Sequence, residues 1–185
     1  MTNDRSLMPP HILFGPEDRI VSHVLTGIHA ARETIDIAVF LLGAKTVANA
    51  LVKARRRGVL VRIILDAKIA RTRYSAHKVL LQKGIEVRTI RVKGGSMHAK
   101  FVLIDRSELI AGTANLTNDA NYRNQEFAFS IEDPEAVTSF VARFEDLWKA
   151  ALPCRIRRPR GRNRPLWRHI PKNRRRRSSR QPHKG

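Results

Sequence analysis

The sequence predicts an α/β domain in which a mixed, mostly parallel sheet is flanked by helices on both faces. Apolar runs with helical spacing alternate with short β-branched runs, which is typical of this class. Two strand-like runs late in the chain follow each other directly, so the sheet is expected to be mixed. Apolar periodicity ends near Arg155, which predicts a folded domain over 1–153 and a basic Arg/Pro-rich tail over 154–185, disordered without a ligand.

The elements follow from spacing and from turn residues. Helices are expected where apolar side chains recur every three to four residues, and Gly58 and Gly84 mark the ends of two of them. Buried strands are expected where β-branched and apolar residues run together. The predicted helices are 17–33, 46–58, 74–84 and 134–150. The predicted strands are 34–42, 59–66, 85–90, 101–104, 109–111 and 125–133.

The charge is concentrated at the end of the chain. Residues 155–185 hold 14 Lys or Arg and no Asp or Glu, within a formal net charge of +20 for the whole chain. A polyanion is therefore the expected partner, and nucleic acid is the commonest one. Cys154 is the single cysteine, which excludes an internal disulfide. With no apolar run long enough for a bilayer span and no secretory pattern at the start, a cytoplasmic location is predicted.

Polar residues surround two of the predicted strands at fixed offsets. In the stretch MHAKFVLIDRSELIAGTAN, residues 97–115, these are His98, Lys100, Asp105, Thr113 and Asn115. Phosphodiester cleavage needs a nucleophile, an acid for the leaving oxygen, and positive groups around phosphorus, and histidine can do the first two tasks. Residues two apart on a strand face the same way, so His98 and Lys100 can address one phosphate. Asn115 can reach the same place if the two strands pair.

Written as a pattern, this stretch is H-x-K-x4-D-x6-G-T-x-N, and it resembles the signature of the phospholipase D superfamily. The segments at 64–89 and 124–131 are similar to those that flank the motif in the small bacterial nucleases of that superfamily, and the resemblance covers 14–152. It implies a phospholipase D-like α/β/α sandwich in which one histidine forms a covalent phosphohistidine and a second protonates the leaving group. It also implies that Lys and Asn hold the phosphate oxygens without a metal or other cofactor.

The chain has one copy of the motif, whereas the mechanism asks for two histidines. The resemblance implies a homodimer in which both motifs meet across a two-fold axis. His98 would then be the nucleophile in one subunit and the general acid in the other. Glu126, where the similar nucleases carry an acidic residue, is the candidate for hydrogen-bonding His98. Thr113 keeps the hydroxyl that many members supply as Ser, and Asp105 is either structural or catalytic.

A basic loop follows a predicted strand end, where ligand sites of α/β folds tend to lie. It is either a substrate groove or solvated charge, and its residues are Lys68, Arg71, Arg73 and Lys78. No His, Cys or carboxylate pair has the spacing of metal ligands. The leading functional hypothesis is a metal-independent endonuclease acting on DNA, with RNA left open. The alternatives are a phospholipid hydrolase or transferase of cardiolipin type, and a non-catalytic nucleic-acid-binding protein.

Overall fold

An eight-stranded sheet organises residues 9–155, the part of the chain that the computed structural model describes. Its spatial order is β1-β7-β6-β5-β2-β3-β4-β8. The strands are β1 His11–Gly15, β2 Thr34–Val39, β3 Leu60–Asp66, β4 Glu86–Ile90, β5 Lys100–Ile104, β6 Glu108–Gly112, β7 Glu126–Ile131 and β8 Leu152–Pro153. Except for its first residues, the predicted tail lies outside the described residues, and its disorder stays a prediction.

Helices cover both faces of this sheet, so the predicted α/β/α sandwich is confirmed. The helices are α1 Ile20–Ala30, α2 Lys45–Arg56, α3 His77–Gln82, α4 Asn118–Tyr122 and α5 Pro134–Ala150. Buried residues of α1 to α4 share one apolar cluster with one face of the sheet. Buried residues of α5 form a second cluster with the opposite face. A short 3-10 turn, Ile69–Arg71, precedes α3.

The expectation that parallel pairs would predominate is wrong. Of the seven neighbouring strand pairs in the described sheet, only β2–β3 and β3–β4 are parallel. The turn between β5 and β6 spans only three residues, and so short a connection can join only antiparallel strands. The edge strands β1 and β8, which the sequence patterns did not predict, also pair antiparallel with their neighbours.

A buried ion-pair network fastens α5 to the sheet. The Nε and Nη2 groups of Arg62 donate to the two oxygens of Asp36, each at 2.7 Å, and Asp36 is only 1% exposed. The same guanidinium bonds Glu145 of α5 at 2.8 Å and lies over the ring of Phe144 at 4.8 Å. Because each buried charge has its partner, the network orients α5 without leaving an uncompensated group in the core.

Gly112 lets β7 approach β6 closely at the end that leads into the motif's last residues. A Cβ at this position would lie 2.7 Å from Cα of Ala128 and would clash with the carbonyl of Phe127. Any larger residue would push the two strands apart. This packing explains in physical terms why the motif has glycine before Thr113.

Candidate active site

The motif residues come together at the strand ends along one side of the sheet, where β2 ends and β5 begins. Val39, the last residue of β2, lies opposite Lys100, the first residue of β5. His98 precedes β5 by two residues and its side chain is exposed to solvent. Asn115 follows β6, and Glu126 begins β7 at the same edge. The antiparallel return of β5, β6 and β7 thus gathers residues that lie up to 28 positions apart in the chain.

His98 is held between an aromatic ring and a cation. Its ring lies 4.8 Å from that of Phe40, centroid to centroid, at an interplanar angle of 54°. The Nζ atom of Lys100 lies 3.0 Å from His98 Nδ1 and donates to the His98 carbonyl at 2.8 Å. Burial lowers the pKa of Lys100, and the carboxylate of Glu126 partly opposes this effect. The two motif residues therefore address one small volume, as their spacing predicts.

Asn115 is oriented by the end of β2. Its Oδ1 accepts a hydrogen bond from the backbone N–H of Leu41 at 3.1 Å. Since the oxygen is engaged, the Nδ2 amino group is the part of the amide that remains for a substrate oxygen. Leu41 directly follows Phe40, so one short segment positions both the amide of Asn115 and the ring against His98.

Glu126 does not bond His98 within one chain, and this expectation is corrected. Thr113 Oγ1 donates to Glu126 Oε2 at 2.6 Å, and Asn124 Nδ2 donates to Oε1 at 3.1 Å. Both carboxylate oxygens thus have other partners among the described residues. The hydroxyl of Thr113 also accepts from the backbone N–H of Phe127 at 3.0 Å, so it fixes Glu126 relative to the sheet. Glu126 faces the site as a charge near Lys100 instead.

Asp105 lies at the wrong end of β5 for chemistry. It follows Ile104, five residues from Lys100, and a strand of that length spans about 16 Å. Its carboxylate accepts from the backbone N–H groups of three consecutive residues, 32–34, at 2.8–3.2 Å. Burial acts to raise the pKa of Asp105, but these three bonds outweigh it and hold the pKa below its ordinary value. Of its two predicted roles, the geometry supports the structural one.

Asp66 is a site-edge residue that the sequence patterns did not single out. It ends β3, is 1% exposed, and accepts from the backbone N–H of Met97 at 3.1 Å through Oδ2. Its Oδ1 accepts from the backbone N–H groups of Lys68 and Ile69. One buried carboxylate therefore holds both the residue before His98 and the start of the basic loop. An aspartate at the end of a buried apolar run was the available signal.

The side chains of the four residues of the basic loop lie in different surroundings. Lys68 Nζ donates to the carbonyl of Gly95 at 3.4 Å. Arg73 lies over the ring of Tyr74 at 5.0 Å and bonds its hydroxyl. Arg71 and Lys78 line a separate cavity. The four side chains therefore do not form one cluster, and their role as substrate-binding residues stays a prediction.

Two features that bear on function concern residues 9–155 only. Within this part of the chain, no three His, Cys, Asp or Glu side chains come together as a potential metal site. No helix there is both long enough and apolar enough to cross a membrane.

Comparison with known proteins identifies the family of the chain. A family model described as "Cardiolipin synthase, PLD-like domain" matches residues 24–148, which include every site residue from His98 to Glu126. The chain belongs to the phospholipase D superfamily. A mitochondrial cardiolipin hydrolase of Danio rerio is 30% identical over 148 residues, covering 80% of this chain. A phospholipase D of Rickettsia bellii is 32% identical over 128 residues, covering 69% of this chain.

The fold also matches a solved member of the superfamily. Nuc from Salmonella typhimurium, a phospholipase D family member, superposes with a TM-score of 0.72 at 27% identity, covering 80% of this chain and 99% of that one. The curated relatives are longer. This phospholipase D-like chain spans 63% of the Danio rerio protein and 63% of the Rickettsia bellii protein.

Proposed function

We propose that this protein is a metal-independent phosphodiesterase that cleaves DNA, with RNA left open as a second substrate. The observation that carries the proposal is the convergence of His98, Lys100 and Asn115 at the strand ends where β2 stops and β5 starts. We call this part of the sheet the catalytic edge. A nucleophile, a cation and an amide donor then surround the position of one phosphate, which is what phosphoryl transfer requires. The superfamily resemblance supplies the expectation of a covalent step.

The chemistry follows from the groups at this edge. A ring nitrogen of one His98 attacks phosphorus, a P–N bond forms, and the P–O bond to the leaving group breaks. The leaving oxygen takes a proton from a second His98. Water then attacks the phosphohistidine and gives a proton to that second imidazole, the P–N bond breaks, and both rings return to their starting states. Lys100 and the Nδ2 group of Asn115 stabilise the charge on the non-bridging oxygens throughout.

The second histidine is proposed to come from a second copy of the chain. An exposed apolar patch lies beside Glu126, on the α5 side of the sheet in the part that α5 does not cover. Phe14 and Phe127 lie opposite each other across β1 and β7 and are 59% and 42% exposed, and Ile12 is 47% exposed. A contiguous patch of this kind is typical of an interaction surface. Its position next to the catalytic edge suits a two-fold contact that brings both motifs together.

Nucleic acid is favoured as substrate by charge. The formal net charge is +20, and 14 of the Lys and Arg residues fall within 155–185, where there is no Asp or Glu. The second candidate is a phospholipid, because the matched relatives include proteins named cardiolipin hydrolase and phospholipase D. The third candidate function is binding of nucleic acid without catalysis. It does not explain why the motif residues lie together, and the same assay tests it.

The test compares substrates in excess EDTA. Purified protein is incubated with labelled single- and double-stranded DNA, RNA, and cardiolipin-containing vesicles. We expect cleavage of DNA, and loss of nearly all of it in His98→Ala with DNA binding retained, because the lost group acts in bond breaking. If only the lipid is cleaved, the substrate is a phospholipid and not DNA. Binding without any cleavage, or activity that EDTA abolishes and Mg²⁺ restores, would overturn it.

A further inference from the structure

A basic cavity lies beside the catalytic edge, between the 3-10 turn, the start of α3 and the β4–β8 end of the sheet. Its volume is about 630 Å³, and its cationic lining residues are Arg71, Lys78 and Arg155. Thr89 adds a hydroxyl to the wall. None of the described residues that line it is Asp or Glu, so its positive charges face no carboxylate within the wall. An anion is the ligand that such a wall favours.

The cavity lies at the same end of the strands as the motif. Ala67, in its wall, directly follows β3, and Thr89 lies one residue before the end of β4. Both strands end where β5 begins. In the sheet order, β4 is three strand spacings from β5, which is about 14 Å. A polymer of phosphates lying along this edge can therefore contact the motif and the cavity at once.

We propose that the cavity binds a second phosphate of the polynucleotide chain, a few linkages from the bond that is cut. This inference rests on the proposed function and extends it to a residue-level substrate subsite. The guanidinium of Arg71 suits paired hydrogen bonds to phosphate oxygens, and Lys78 adds a compact charge. Arg155, the first cation of the basic tail, adds a third positive charge to the same wall. A polynucleotide carries the repeated phosphates that allow one to lie at the motif and another in the cavity.

Cys154 makes this subsite directly observable. It lines the same cavity, is partly buried, and is the single cysteine among 185 residues. Burial raises the pKa of the Cys154 thiol, while Arg71 opposes that effect. The thiol therefore reacts slowly enough for its alkylation to be timed at mildly alkaline pH. A ligand in the cavity should shield it.

The experiment measures alkylation of Cys154 by an uncharged maleimide in the full-length His98→Ala protein, which we expect to bind substrate without cutting it. A single-stranded DNA oligonucleotide at ten times its Kd should slow the reaction about tenfold, because about one site in ten stays empty. Arg71→Gln and Lys78→Gln should each weaken oligonucleotide binding, reduce protection, and lower the salt slope of binding by about 0.7. Lys83→Gln is the matched control, since Lys83 is exposed at the other end of α3 and does not line the cavity.

Three results would overturn the proposal: no protection by the oligonucleotide, equal effects of Lys83→Gln and Arg71→Gln, or protection only by cardiolipin-containing vesicles. The chemistry is followed separately as hydrolysis of bis(4-nitrophenyl) phosphate by the wild-type protein. If the diester is hydrolysed but Cys154 is not protected, the cavity proposal is wrong and the proposed phosphodiesterase function stands. Protection without hydrolysis of any diester would instead remove the proposed phosphodiesterase function.

Discussion

The Nζ atom of Lys100 lies 3.0 Å from Nδ1 of His98. An ammonium group can only donate, so while Lys100 is charged Nδ1 accepts and the ring proton of neutral His98 is on Nε2. A neutral ring with its proton on Nε2 can neither attack phosphorus through that nitrogen nor act as a general acid, which requires both ring nitrogens to be protonated. Contact with a second copy would have to redistribute the protons, leaving Nε2 free in the nucleophile and both nitrogens protonated in the acid.

Lys100 should set the alkaline limit of phosphate binding. Burial lowers the pKa of Lys100, so its ammonium is lost at a lower pH than that of an ordinary lysine, and phosphate binding is lost as pH rises through that pKa. Lys100→Arg keeps the charge to much higher pH. We expect the alkaline loss of DNA affinity, measured as Kd against pH, to move upward in this variant. An unmoved profile would show that another group titrates there.

Lys100→Ala should lower kcat by about 10²-fold or more, because it removes a preorganised donor to the charge that develops on phosphate. Single-turnover cleavage at saturating DNA measures this. A kcat within a few-fold of wild type would exclude Lys100 from the catalytic site.

Asp105→Ala should change stability and leave the chemistry intact. The substitution leaves three backbone N–H groups, two in the α1–β2 connection and one at the start of β2, without their acceptor, which costs about 1–3 kcal/mol in the free energy of unfolding. Thermal unfolding should show a lower Tm, while the kcat of the folded protein stays near that of wild type. A collapse of kcat with Tm unchanged would restore Asp105 to a catalytic role.

The carboxylate of Asp105 also makes stability depend on pH. Its pKa in the folded state is depressed, so its contribution is present above the unfolded-state pKa and is lost as pH falls through the folded-state value. The Tm difference between wild type and Asp105→Ala should therefore shrink as the solution becomes acidic.

The apolar patch should be needed for self-association. Phe14→Glu places a charge at the centre of the proposed contact, so sedimentation velocity should show a shift from dimer to monomer, with loss of activity. Leu60→Glu is the control, because Leu60 is 54% exposed at the opposite end of β3 from the catalytic edge. An equal effect of both variants, or a dimer that survives Phe14→Glu, would remove this patch as the interface.

The local spacing in the motif was enough to predict that His98 and Lys100 lie together, because strand geometry places alternate residues on one side. For Asp105 the spacing left a structural and a catalytic role open, and the geometry supports the structural one. A residue five positions along a strand lies near in sequence and about 16 Å away in space. Sequence proximity predicts a shared site only at the end of the strand where the chain turns.

Other features depend on contacts between distant segments, and the sequence patterns could not supply them. Two examples are the packing of the Phe40 ring against His98 and the hydrogen bond from Met97 to Asp66. Neither can be predicted without knowing that β2 and β3 end beside the start of β5. The expected bond between Glu126 and His98 is absent among the described residues, where Glu126 accepts from Thr113 and Asn124, and the sequence pattern could not place those two donors beside it. The β1 edge strand was missed because five residues with exposed Ile12 and Phe14 resemble a loop until β7 is placed beside them.

Mixing of subunits tests the shared site most directly. Wild-type protein and His98→Ala are combined in varying ratios, allowed to exchange, and assayed for DNA cleavage in EDTA. If each site needs a histidine from both chains, only wild-type dimers are active, and at equal amounts about one quarter of the dimers remain active. Activity that falls in simple proportion to the wild-type fraction, about one half at that point, would show that each chain works alone and would contradict the shared site.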